Sequence, residues 1–66
     1  MSTFRHSDRI AFDNGETYFE GKIVFFQDDD TFNVRLDPEF AEFDGQHLNR
    51  VNPDYCELLI DNQGEI

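Results

Sequence analysis

Residues 21–36, GKIVFFQDDDTFNVRL, constrain the fold of this chain more than any other stretch. Phe32, Val34 and Leu36 alternate with Asn33 and Arg35. A period of two puts the three apolar side chains on one face of a strand. On the other side of a polar tip, Ile23, Val24, Phe25 and Phe26 are all apolar. That run reads as a strand buried on both faces. Two such runs joined by Gln27, Asp28, Asp29 and Asp30 predict a β-hairpin.

What surrounds the hairpin must be small. The chain has 66 residues, enough for one domain. A chain of this size buries only ~60% of the surface it exposes when unfolded, so its stability is marginal. Eight Phe and two Tyr compensate, because each aromatic removes roughly 150–250 Å² from water. The single cysteine, Cys56, excludes an internal disulfide and fits a reducing cytosol. No apolar run exceeds four residues, so the sequence predicts neither a signal peptide nor a membrane span. The expected location is cytoplasmic.

Along the chain, residues 1–7 have no period and are expected to form a frayed terminus, with Phe4 folding back as a cap on the core. Residues 9–12 predict a strand with Ile10 and Phe12 inward. Asp13, Asn14 and Gly15 predict a turn, since Asn and Gly accept positive φ. Residues 17–19 resume extended chain, and Gly21 marks a bend or bulge. In residues 37–45, DPEFAEFDG, Asp37 suits an N-cap, Pro38 the first helical position and Gly45 the C′ position. One to two turns of helix follow, docked through Phe40 and Phe43, which are three apart. Residues 47–51 predict a fourth strand. Asn52, Pro53 and Asp54 make a turn, and residues 55–60 a last strand with Cys56, Leu58 and Ile60 on one face. Residues 61–66 read as a loose tail. The expected fold is all-β: a five-stranded barrel with a short helical turn between strands 3 and 4. Closure removes exposed edges that a small sheet cannot otherwise protect.

The run Val51, Asn52, Pro53, Asp54, Tyr55, Cys56, Glu57, Leu58, Leu59 resembles the end of an SH3 domain. There a strand meets a 3₁₀ turn containing Pro and Tyr, then a last strand. The resemblance implies an SH3-like barrel, a layout shared with Tudor and KOW domains, over residues 1–66. It also implies that the loops at 13–16 and 27–30 flank Pro53 and Tyr55 as an acidic groove with an aromatic floor. In that family such a groove takes an extended peptide and reads a nearby Arg or Lys. The chain departs from the family in having no Trp and in carrying the 37–45 insert.

Catalytic chemistry finds little support. His6, His47 and Cys56 lack metal-ligand spacing, so no metal or other cofactor is expected. No Gly-rich phosphate loop occurs. Ser2 and Ser7 fall in the frayed terminus, a poor place for a nucleophile. Asp28, Asp29 and Asp30 lack the spacing of an EF-hand. Tyr18, Phe26 and Tyr55 suggest an aromatic cage for a methylated lysine, against the simpler reading of Phe26 as core. The sequence therefore predicts a protein that is not an enzyme.

Charge is the remaining signal. The net charge is −10, from fifteen Asp and Glu against five Lys and Arg. Such a chain is repelled by nucleic acid and anionic membranes and attracts cationic partners. The expected partner is a protein with a basic surface. The expected contacts are Asp28, Asp29, Asp30, Glu39, Glu42 and Asp44, with Phe40, Phe43 and Tyr55 as aromatic anchors. Small acidic chains of this kind are similar to viral inhibitors that mimic nucleic acid on DNA- or RNA-handling enzymes. A peptide-reading module and a structural subunit of a larger complex are the alternatives, and charge that serves only solubility is the simplest reading.

Overall fold

The computed structural model describes residues 4–59. Five strands form one antiparallel sheet in the order β4-β3-β2-β1-β5: β1 (Arg9–Asp13), β2 (Tyr18–Phe26), β3 (Phe32–Leu36), β4 (His47–Val51) and β5 (Cys56–Leu58). A single 3₁₀ turn, Pro53–Tyr55, joins the two edge strands. Four strand spacings in a flat sheet amount to about 19 Å. Five Cα steps from Val51 to Cys56 reach at most ~18 Å, and a 3₁₀ turn shortens that further. The sheet is therefore curled, with its concave side around the core. No helix among the described residues is long and apolar enough to cross a membrane.

The alternation in β3 holds: Phe32, Val34 and Leu36 are buried while Arg35 is exposed. Ile10, Phe19, Ile23 and Val51 complete the buried cluster. Phe4 caps it, its ring meeting Phe32 edge-on at 5.6 Å. Residues 5–8 are not frayed. The Ser7 N–H donates to the Ile23 carbonyl and the Ile23 N–H to the Asp8 carbonyl, both at 2.9 Å. Residues 1–3 and 60–66, including the expected tail and Ile60, lie outside the described residues.

The hairpin differs from expectation in one respect. β2 is not buried on both faces, because Phe25 is 55% exposed. A bulge at Val24 is the cause. Ile23 pairs with Val34, but Phe25 pairs with Asn33 and Phe26 with Phe32. The extra residue turns Phe25 outward and hands the inward position to Phe26, whose ring meets Phe32 at 5.7 Å. A second bulge lies across the same residue of β3. Phe32 pairs with Val51 and Val34 with Leu48, leaving Asn49 and Arg50 opposite Asn33. The Asn33 side-chain oxygen accepts from the Arg50 N–H at 3.1 Å and from Gln27 Nε2 at 2.9 Å. One amide thus supports both irregularities. In its Nε2-protonated tautomer, His6 serves the first bulge too, donating to the Val24 carbonyl at 3.1 Å.

Gly21 is neither bend nor bulge; it pairs with Ile10 on one side and Leu36 on the other. Its need is space. A Cβ there would meet the Arg35 carbonyl oxygen, and Val34 Cγ1 at 2.6 Å.

The 37–45 insert forms two separate hydrogen-bonded turns and no helix, the second closed by the Gln46 N–H on the Phe43 carbonyl at 3.2 Å. In the first, the Asp37 carbonyl accepts from the Phe40 and Ala41 N–H groups at 2.9 and 3.1 Å, and the Ala41 N–H also reaches the Pro38 carbonyl at 3.4 Å. Asp37 does not cap it, because its carboxylate is turned to Arg9. Two Phe three apart do not stabilise so short a helix when only Phe40 has somewhere to dock: Phe40 packs on the core, while Phe43 is 63% exposed. Leu58 shares the face of Ile10 as expected but is 45% exposed, since β5 is an edge strand.

Candidate functional site

Strand pairing arranges the convex face into rows. Ala11 of β1 stands between Glu57 of β5 and Glu20 of β2, and Asp13 stands beside Tyr18. The turn 14–17 keeps Asp13 and Tyr18 in register. Gly15 takes φ +91°, and the Asn14 side chain accepts from the Glu16 and Thr17 N–H groups at 2.9 and 2.8 Å. Across from it, the 3₁₀ turn is capped by Asn52, whose side-chain oxygen accepts from the Asp54 N–H at 2.9 Å. That cap places Asp54 and Tyr55 against β1.

Together these residues enclose a hollow of about 480 Å³ with Ala11 as its floor, Tyr18 and Tyr55 as its walls, and Asp13, Asp54 and Glu57 around it. Both tyrosines are 49% exposed. Tyr18 is fixed from two sides: its hydroxyl donates to Glu20 Oε2 at 2.5 Å, and its ring meets Phe40 edge-on at 5.7 Å. The Tyr55 ring meets Phe12 at 5.8 Å. Among the described residues no cation lines the hollow. The Tyr18 phenol is raised above its ordinary value. The hydrogen bond to Glu20 is the main cause, followed by desolvation, and the charges of Glu20, Asp13 and Glu57 add to it. Aromatic faces beside uncompensated carboxylates form a receptor for an ammonium or guanidinium group.

Tyr55 is the one expected contact residue that lines this hollow, and Phe40 reaches it indirectly through Tyr18. The other expected contacts are dispersed. Asp28, Asp29 and Asp30 sit exposed at the β2–β3 tip. Asp29 is held below the usual carboxylate range, first by the Thr31 hydroxyl, and it also accepts from Arg50 Nη1 at 2.6 Å. Glu39, Glu42, Phe43 and Asp44 project from the insert, all exposed. The cage is not assembled as a trio: Tyr18 and Tyr55 share the hollow, but Phe26 packs on Phe32.

The aromatic floor expected near Pro53 and Tyr55 is a separate, shallower depression. Phe12, Phe19 and Tyr55 line it, with Phe12 and Phe19 stacked at 4.8 Å. Its polar lining is Asn14, Thr17, Asn49, Arg50 and Asn52, with no carboxylate. The carboxylates line the neighbouring hollow instead. The sequence placed the 13–16 loop beside Tyr55 but did not single out Asp54 or Glu57, because the β1–β5 pairing that sets them against Asp13 joins positions more than forty residues apart.

Among the described residues no three His, Cys, Asp or Glu side chains gather to hold a metal ion. Cys56 is half-buried, which pushes its thiol up to about 11 and leaves it a poor nucleophile. No family model, characterised protein or solved structure matches this chain.

Proposed function

We propose that this protein is a non-catalytic acidic binding protein that engages a basic surface of a protein partner. The observation that carries the reading is the hollow of Tyr18, Tyr55, Asp13, Asp54 and Glu57, which has an aromatic and anionic wall and no cation among the described residues. A lysine or arginine side chain of the partner enters the hollow. The exposed carboxylates of the loops steer the encounter, since rim charges act mainly on association rate. Phe43, standing exposed between Glu42 and Asp44, supplies a second aromatic anchor. In the sharper form of this reading, the partner is a DNA- or RNA-handling enzyme, and the carboxylates occupy its phosphate-binding surface as a virus-encoded inhibitor would.

We read the curled sheet as an SH3-like barrel, supported by the strand order and by the 3₁₀ turn that carries Tyr55. The cytoplasm is the compartment that suits a free, unpaired thiol. A peptide-reading role draws on the Phe12, Phe19 and Tyr55 depression beside the hollow.

The test is an NMR titration of the labelled protein with a blocked peptide, acetyl-Gly-Arg-Gly-Lys-Gly-amide. Saturable shifts at Ala11, Asp13, Tyr18 and Glu57 are expected, weakened by salt and by Asp13→Asn with Glu57→Gln. Shifts confined to the Phe12 and Phe19 depression would favour the peptide reader. No saturable response anywhere would refute both. A pull-down eluted by a salt gradient then separates the partner classes, with nucleic-acid-binding enzymes expected in the salt eluate.

A further inference from the structure

The row next to the acidic one on the convex face is its opposite. Arg9 pairs with Lys22, Lys22 with Arg35, and Arg35 with His47, so four basic side chains cross four strands in one line. The chain has only five Lys and Arg and two His. Arg9 is neutralised by Asp37 and by Glu20, the latter at 3.4 Å. No ion pair or hydrogen bond among the described residues engages the Lys22 or Arg35 side chain. Like charges directly opposite on a sheet are destabilising, yet this chain, with three acids for each base, keeps the pair.

The pair opens into a groove of about 520 Å³ between the β2–β3 face and the insert. Val24, Pro38, Ala41 and Phe43 give it an apolar wall. Two carboxylates also line it. Asp37 is already turned to Arg9, and Asp44 makes no ion pair with either cation. We infer that this groove binds a carboxylate side chain presented by an acidic-apolar peptide segment of a partner protein. The cations select an anion, and the wall takes a neighbouring apolar side chain. The net charge of −10 repels polyanions, so an isolated carboxylate suits the site better than a phosphate chain. The groove is open to solvent, so a chain can enter and leave, and the carboxylate is borne on a side chain. This site is separate from the tyrosine hollow and does not depend on it.

The test uses two blocked peptides, acetyl-Ala-Phe-Glu-Leu-Ala-amide and its Gln analogue, titrated into the labelled protein. The Glu peptide is expected to shift the amides of Lys22, Arg35, Ala41 and Gly45 saturably. The Gln analogue is expected to bind about tenfold more weakly, as for loss of a hydrogen bond to a charged group. Lys22→Gln and Arg35→Gln should each weaken the Glu peptide similarly while raising Tm by about 2 °C, because cross-strand repulsion is relieved. Equal binding of both peptides would overturn the proposal. So would tighter binding of inorganic phosphate than of the Glu peptide, shifts centred on Tyr18 and Tyr55, or self-association that fills the groove without peptide.

Discussion

Replacing Gly21 by Ala adds one methyl group at the most crowded point of the sheet. The new Cβ would meet the carbonyl oxygen of Arg35 and, at 2.6 Å, Val34 Cγ1. Val34 is fully buried. The Arg35 carbonyl is backbone, so relief requires β3 to move away from β2. Overpacking of this kind costs about 1–3 kcal/mol, and a lengthened ladder hydrogen bond adds about 1 kcal/mol. Ala recovers about 0.5–1 kcal/mol by restricting the unfolded chain. The net loss is about 1–3.5 kcal/mol, from a total of about 3–10 kcal/mol for a domain of this length. The melting temperature should fall by about 5–25 °C, read by far-UV circular dichroism at fixed salt and pH. Gly15→Ala is the control: nothing lies within 4 Å of its Cβ position, and only its φ of +91° is at stake. It should cost about 1–2 kcal/mol. A Gly21→Ala variant that melts at or above the parent temperature would refute the crowding argument.

Val34→Ala should cost about 2–3 kcal/mol in urea unfolding because Val34 is fully buried, whereas the half-exposed Leu58→Ala should cost about 1 kcal/mol. Phe40→Ala should lower Tm by loosening the insert and freeing the Tyr18 ring, while Phe43→Ala should leave Tm within about 2 °C. Asn33→Ala should cost about 1 kcal/mol by removing the acceptor shared by the two bulges, and Asn33→Asp, which keeps an acceptor for the Arg50 N–H, should cost less in the same melt. Burial raises the Cys56 thiol from 9.0 to about 11 in the folded state, so the unfolded chain ionises first; stability should fall between about pH 9 and 11, and Cys56→Ser should flatten that slope.

Much of this protein follows from local pattern. The two-residue period of Phe32, Val34 and Leu36 determined β3 and its buried face, because alternation is a property of the extended backbone itself. Asp13, Asn14 and Gly15 determined the first turn through φ preferences carried within a few residues. Composition determined the acidity and excluded a disulfide. Tertiary structure decided everything that depends on which strands are neighbours. It turned Phe25 outward and Phe26 inward through the bulge at Val24, which an unbroken apolar run cannot signal. It broke the insert into two isolated turns, with the Asp37 carboxylate turned to Arg9 rather than capping a helix. The tyrosine hollow and the basic row were equally hidden. Asp13 and Glu57, or Lys22 and Arg35, become neighbours only when the antiparallel ladders bring distant positions within a few ångströms of each other, and electrostatic interaction depends on that distance rather than on separation along the chain.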